Sequence, residues 1–454
     1  MPATVQGRRR DGAASPAPAG AASGRTLQVD VVRVIAWLLF VATMLIIWVS
    51  VTPFRDLSDA AVLQPSDSGN ILNQIGYSVL GGGMIVFAAL TNPPVFRILA
   101  RPIYLITIAW FGLSALASPD PVLSVKRLAL TVIVIVLAGL ALTLPASVRN
   151  FAQWLAGLVL LVLAVSYIGV AFAPGVSIHN AYDLVEPELA GDWRGLFRHK
   201  NTTGFMMVMF IFIGLFVARV HSVVTGWSIV GLSVVFLFCT GAKTSMLLLP
   251  VVLTLTWMCE RLRGGAVRAL VALSLLTLIN LATVGSVVSE PIKDLFNRLL
   301  PDASFTGRTD IWAFAVENIA KRPVLGHGFA TFWRTGHVMF DNDEAGGQDE
   351  KGYFNANQAA NAHNGYLDIA LQTGLFGLAL TLLWVVVMPL RDFAKAWDDP
   401  PSRELGHLFF RIWLFGINFA CLESVLFDPV GPLWFMMLMS MFGLRLISRY
   451  RIAP

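Results

Sequence analysis

The chain has 454 residues, 56% of them hydrophobic and only 13% charged, with a formal net charge of +5 at neutral pH. Together with a mean hydropathy of +0.69 this excludes an ordinary soluble domain and points to an all-α polytopic membrane protein. The mild positive excess is what membrane topology produces, so it calls for a lipid bilayer and for no nucleic acid.

In chain order, residues 1–29 contain Arg8, Arg9 and Arg10 and then an Ala, Gly, Pro and Ser run without an apolar core. They are expected to form a disordered cytoplasmic tail rather than a cleavable signal. A hydrocarbon core of roughly 30 Å needs about 20 apolar residues per helix, and scanning for such runs predicts about twelve spans. They are 30–51, 71–91, 102–118, 124–144, 151–173, 202–220, 226–241, 244–259, 267–288, 363–388, 407–426 and 430–448. Helices 1 to 9 thus occupy 30–288 with an outer loop at 174–201, a large outer loop fills 289–362, and 363–454 holds helices 10 to 12 and the C-terminus. Arg97 and Arg101, Arg149, Arg219, the Arg261, Arg263 and Arg268 group, Arg391, Lys395 and Arg403, and the tail Arg445, Arg449 and Arg451 fall in alternate loops. The positive-inside rule then puts both termini in the cytoplasm. Cys239, Cys259 and Cys421 lie in or beside apolar runs, which argues against disulfides and against a zinc site.

Cations on the outer side work against that rule and ask for a reason. Lys126 and Arg127 begin the fourth span, Arg194, Arg198, His199, Lys200 and Asn201 lead into the sixth, Lys243 precedes the eighth, and His363 opens the tenth. Each is the outer N-terminus of an inward-running helix, where unpaired N–H groups and the positive end of the dipole already favour an anion. The set predicts a basic, anion-binding surface at the outer boundary; snorkelling to lipid headgroups is the plain alternative for any one of them.

The 289–362 loop exceeds 70 residues, too long for a passive link. After Arg298 and a Pro301-Asp302 turn, a helix is expected from Thr309 to Lys321, ended by Pro323. Its apolar face, Trp312, Val316 and Ile319, suits a membrane surface. Residues 338–361, rich in Asp, Asn, Gly, Gln and Ala, are expected to be disordered or gated by substrate, and Asp341 to Gly346 lacks the ligands of a calcium loop. No metal and no cofactor are expected. Phe329, Phe332, Trp333, Tyr353, Phe354 and Tyr366 offer flat faces for sugar rings or interfacial anchors. Gly81 to Gly83 and the Gly374/Gly377 pair read as helix-packing features, and His327, between two glycines, as a turn residue. Asn364 and Asn201 suit either substrate contact or helix capping. Glu423, with Asp428 just beyond it, is an ionisable group near the outer end of the eleventh span, a candidate to hold an active-site arginine.

The most informative segments are His363-Asn364 followed by Gly374-Leu375-Phe376-Gly377, and Gly307-Arg308-Thr309-Asp310-Ile311-Trp312 with Pro323-Val324-Leu325-Gly326-His327-Gly328. With Ser124 to Arg127 and the Trp193 to Asn201 junction, they resemble the loop signature of the O-antigen ligase and Wzy-type polysaccharide polymerase superfamily, most of all its exopolysaccharide polymerase (ExoQ-like) branch. The resemblance implies a glycosyltransferase of the bacterial inner membrane, working at the periplasmic face without metal. Its donor would be a polyprenyl-diphosphate-linked oligosaccharide, its acceptor a glycan hydroxyl, with a flippase and a chain-length regulator as possible partners. His363 would remove the acceptor proton or bind phosphate, and Arg308 would engage the diphosphate, helped by Arg194, Arg198, His199, Lys200, Asn201, Lys243, Lys126, Arg127 and Asn364, with Glu423 in support. A polymerase of repeat units is the leading reading. A ligase to lipid A core or a transferase to protein is the alternative, and a transporter or flippase, which would show paired inverted repeats and broken helices, the different-class alternative.

Overall fold

The computed structural model describes residues 22–59, 71–184, 186–262, 264–299, 308–333, 361–396 and 403–450. The Pro301-Asp302 turn, the Asp341 to Gly346 segment, Tyr353 and Phe354 lie outside them. The molecule is an all-α polytopic membrane protein: among the described residues the only extended pairing is an isolated antiparallel bridge between Ile178 and Trp193.

Among the described residues, seven helices are long and apolar enough to cross a membrane: α1 (Ala22–Trp48, apolar from Val31), α2 (Ile71–Thr91), α4 (Pro121–Ala141), α5 (Val148–Phe172), α6 (Lys200–Val220), α9 (Gly265–Val288) and α12 (Gly365–Lys395). Two shorter apolar helices, α3 (Pro102–Leu116) and α7 (Val223–Cys239), join them. Further expected spans coincide with α8 (Lys243–Arg261), α13 (Arg403–Phe419) and α14 (Pro432–Arg449). The 289–362 loop contributes α10 (Glu290–Leu299) and α11 (Arg308–Lys321).

Two expected limits move. Helix α1 already begins at Ala22, inside the segment read as a disordered tail. The eleventh span, expected through 426, ends at Phe419, so that Glu423 sits in the loop between α13 and α14.

Helices α6, α13 and α14 form the centre. They are buried on nearly every side, and residues such as Phe210, Phe212, Trp413, Phe415, Trp434 and Met437 are fully buried. The outer helices instead expose large apolar side chains, among them Leu90, Phe172, Val224 and Leu270. Such a surface would aggregate in water and is the face a bilayer covers.

One helix is broken where the site is built. In α12, Gly374 adopts φ 73° and ψ 176°, which interrupts the helical ladder. Protein donors replace the missing ones: the Leu371 carbonyl accepts from His327 N–H at 2.9 Å, and Gln372 from Gly328 N–H at 3.0 Å and Ser114 Oγ at 2.7 Å. Thr373 accepts from the Trp110 indole at 2.9 Å, and Leu375 N–H donates to Pro323 at 2.8 Å. The Pro323 to Gly328 turn and the Gly374 break are therefore one docked unit, although about fifty residues separate them in the chain.

The apolar face of α11 is used within this unit and not on a membrane surface. Trp312, Ala315 and Ile319 pack with Phe332, Trp333, Leu367 and Leu371, because the start of α12 supplies a facing apolar stripe.

A Cβ at Gly374 would run into the Val324 carbonyl and would also face a backbone conformation that L side chains avoid. Gly374→Ala is expected to destabilise the fold by at least the ~1–3 kcal/mol of such strain. Thermal unfolding of the purified variant in detergent checks this, and a midpoint equal to wild type would refute the docked-break account.

Candidate functional site

Arg308, His363 and Glu423 converge on one point. Glu423 Oε1 accepts from Arg308 Nη2 at 3.0 Å, and its Oε2 lies 3.1 Å from His363 Nδ1. Arg308 Nη1 also donates to the Leu422 carbonyl at 2.8 Å. All three side chains keep contact with the outside, at 33% exposure for His363, 25% for Arg308 and 18% for Glu423. Burial pushes the Glu423 carboxyl up, but the His363 hydrogen bond and the Arg308 charge together hold it below the usual carboxylate value. Ionised, it accepts only, so His363 Nδ1 must carry the hydrogen, and in the neutral ring this tautomer leaves the lone pair on Nε2.

The backbone around His363 is pinned from several sides. Asn364 caps α12, its Oδ1 accepting from Tyr366 N–H at 3.0 Å and Leu367 N–H at 3.1 Å. Its Nδ2 donates to the Cys421 carbonyl at 3.0 Å, and Gly365 N–H donates to Ala420 at 2.7 Å. On the other side the Trp312 indole donates to the Ala362 carbonyl at 2.9 Å. His363 itself sits at φ 46°, an unusual conformation for a residue with a side chain, with its N–H held by Asn361 Oδ1 at 2.9 Å.

Asn364 is therefore not a substrate contact. It is fully buried, and capping and the bond to Cys421 occupy its amide. The aromatic faces expected to meet sugars are likewise core: Phe329 stacks on Phe111 at 5.1 Å, the Trp333 indole donates to Asp368 at 2.7 Å, and the Tyr366 hydroxyl donates to Ile417 at 2.9 Å. The sequence reading missed Asp368. It also accepts from Ala362 N–H at 3.2 Å, and the available signal was an acidic residue within the first turn of a membrane helix.

The 174–201 loop forms a second assembly. Arg194 is fully buried and donates to the Arg55 carbonyl at 2.7 Å, so it is a brace inside the loop and no part of an outward basic surface. His199 caps α6, its Nδ1 accepting from Asn201 N–H at 3.0 Å, which leaves Nε2 to donate to Glu186 at 2.8 Å. That bond first of all holds the Glu186 carboxyl below its usual value. Lys200 pairs with Asp192 at 2.6 Å, and Asn201 is at intermediate exposure. Trp193 N–H donates to Cys239 at 2.9 Å, tying the loop to the turn before Lys243.

Arg198, Lys243, Lys126 and Arg127 are exposed. Arg127 also donates to the Ala330 carbonyl, beside the docked turn. Phe205 in α6 meets Phe419 at the end of α13 edge-on at 5.6 Å, so the two assemblies adjoin. Among the described residues no three His, Cys, Asp or Glu side chains are grouped to hold one metal ion.

Residues 227–382 match the family described as O-antigen ligase, a stretch that includes Lys243, Arg308 and His363 and ends before Glu423. The chain is also similar to the exopolysaccharide production protein ExoQ of Rhizobium meliloti (strain 1021), 24% identical over 225 residues, 46% of this chain and 50% of that protein. The chain thus spans about half the length of the curated relative it matches. Both matches support an O-antigen ligase and ExoQ-like family.

The second assembly has a pH dependence of definite sign. His179 Nδ1 meets Asp183 at 2.9 Å while its Nε2 accepts from Lys200 N–H at 3.3 Å, an arrangement only the neutral ring allows. Burial lowers its pKa from the ordinary 6.5, the Asp183 bond opposing and the nearby His199 and Arg194 adding. The opened loop binds that proton more readily, so the contribution is complete above pH 6.5 and falls away as pH drops toward the lowered folded value. Amide exchange across 174–201 is expected to speed up at pH 5 relative to pH 7.5, beyond its intrinsic pH dependence. Equal protection at both would contradict it.

Proposed function

We propose that this chain is a glycosyltransferase that polymerises polyprenyl-diphosphate-linked oligosaccharide repeat units at the periplasmic face of the bacterial inner membrane, with both termini in the cytoplasm. The observation that supports it most is the carboxylate of Glu423 joining His363 to Arg308. An imidazole whose Nδ1–H is held by a carboxylate offers Nε2 as a base, the same logic by which acyl-transfer triads orient their histidine.

In this reading an acceptor sugar hydroxyl gives its proton to His363 Nε2 as its oxygen bonds to the donor's anomeric carbon. The bond from that carbon to the diphosphate oxygen breaks, and polyprenyl diphosphate leaves with the negative charge. Two of the five guanidinium N–H groups of Arg308 are engaged with Leu422 and Glu423, which leaves others for a phosphate oxygen. Exposed Arg198, Lys243, Lys126 and Arg127 add positive potential along the same face. Cations that meet the leaving group more strongly as its charge develops lower the barrier. His199 and Lys200, paired with Glu186 and Asp192, present that surface and hold its shape.

The similarity to a protein named for exopolysaccharide production favours polymerisation. The match to a family described as O-antigen ligase favours the second reading, transfer of a finished glycan to lipid A core. Against a transporter stands the filling of the α12 break by protein donors, where a transport site would leave it open to a substrate.

Purified protein given lipid-linked repeat units, with chelator and no nucleotide, is expected to produce a ladder of lengthening lipid-linked glycans. Transfer only to added lipid A core would make it a ligase, and no transfer to either would end the glycosyltransferase reading. His363→Ala should lower turnover by roughly 100- to 10,000-fold with the fold intact, the usual worth of a general base. Arg308→Ala and Glu423→Gln should lose turnover as well, whereas Lys243→Ala should mainly raise the KM for donor. Full turnover in the His363 variant would remove the mechanism.

A further inference from the structure

At the end of the helix bundle opposite His363 lies a cavity of about 500 Å³ that the proposed reaction does not use. Its position follows from α3 and α14. The Ser114 end of α3 supports the α12 break and α14 starts beside the Glu423 loop, while Arg101 and Arg445 stand at their far ends. Six cations line it, Arg97, Arg101, Arg391, Lys395, Arg445 and Arg449, from three stretches distant in sequence. The only carboxylate in the lining is Asp392, already engaged by Arg101 at 2.7 Å.

The positive-inside rule accounts for basic residues at this end, and cations in the last turns of α12 and α14 suit the helix dipoles. Neither accounts for Arg445. It is 4% exposed and donates through Nη2 to the Arg97 carbonyl at 3.2 Å, with its guanidinium 5.6 Å from the Tyr104 ring. Among the described residues, its Nε and Nη1 are buried without a hydrogen-bond partner, in a side chain that lines the cavity. A snorkelling arginine places those groups in water; leaving them buried and unmatched is costly unless an acceptor meets them.

We infer that this cavity is an anion site for a phosphate group, occupied by the headgroup of an anionic phospholipid of the adjoining leaflet. Phosphate oxygens match the forked donors of arginine, and a basic pocket between membrane helices at a leaflet boundary is where such headgroups are recognised. The occupant ties together the ends of α3, α12 and α14, three helices whose other ends frame the His363 site.

The test uses the full-length protein in neutral detergent, titrated separately with phosphatidylglycerol, phosphatidylcholine and inorganic pyrophosphate, with bound species counted by native mass spectrometry. Saturable binding of phosphatidylglycerol over phosphatidylcholine is expected, weakened about tenfold or more in the Arg391→Gln/Lys395→Gln double variant. Those side chains are exposed, so the variant keeps the fold and isolates the charge; Arg445→Gln, checked for folding, should abolish the preference. Pyrophosphate binding with the same dependence on these residues, and no preference between the lipids, would keep the phosphate chemistry but overturn the lipid occupant. Lipid binding indifferent to both variants, with no pyrophosphate binding, would overturn the site altogether.

Discussion

The end of α13 and the start of α12 meet head to tail, and the face that carries His363 is organised around that meeting. A helix C-terminus leaves carbonyls without donors, and a helix N-terminus leaves N–H groups without acceptors. Here the Ala420 carbonyl takes the Gly365 N–H, Cys421 takes the Asn364 amide, and Leu422 takes Arg308. Successive carbonyls of one helix end are thus claimed by two other segments of the chain. Glu423, the next residue, is delivered to a fixed place between His363 and Arg308, with its geometry set before any substrate arrives. In a membrane boundary, where unmet backbone groups are costly, this satisfaction also keeps the arrangement from opening.

The same economy governs the break in α12. A helix that stops at Gly374 frees three carbonyls, and the Pro323 to Gly328 turn and α3 meet them. His327 spans the gap, its N–H on Leu371 and its ring 2.9 Å from the Asn318 carbonyl, which fixes the end of α11 against α12. Arg308, at the other end of α11, inherits its position from that docking. Chemistry and packing are therefore coupled here through a single short helix.

How much of this was legible depended on whether a residue's role is local. The all-α membrane class follows from hydropathy alone; His363 and Glu423 stood out because an ionisable group near the end of a membrane helix needs a reason, and Arg308 because its loop segment resembles the family signature. That one carboxylate joins the other two is a long-range fact, spanning 115 residues for Arg308 and 60 for His363. Arg194 misled because an arginine in an outer loop reads as exposed, and only the folded loop shows it buried against the Arg55 carbonyl. The aromatics misled in the same way: Phe329 and Tyr366 read as interfacial platforms, but the α12 break draws the turn inward and makes them core. Gly374 could be read as a packing glycine, but its positive φ depends on a turn about fifty residues upstream.

Pairing divides the cations on the His363 side into two kinds, and the division bears on how a diphosphate would be held. Lys200 spends its charge on Asp192, and His199 gives its one ring N–H to Glu186, which fixes the loop but leaves little field beyond it. Lys126 and Lys243 are exposed and, among the described residues, make no ion pair. Exposed single charges contribute weakly and are screened by salt over about 10 Å, so they suit capture of a charged lipid more than selective stabilisation of a transition state. Arg308 differs from both kinds. Its partner Glu423 also holds His363, so a phosphate drawing on the guanidinium would share it with the carboxylate that orients the base. On the proposed mechanism, donor engagement and base orientation are then coupled through one side chain, and a bound diphosphate would alter the hydrogen bond on His363 Nδ1 as it arrives.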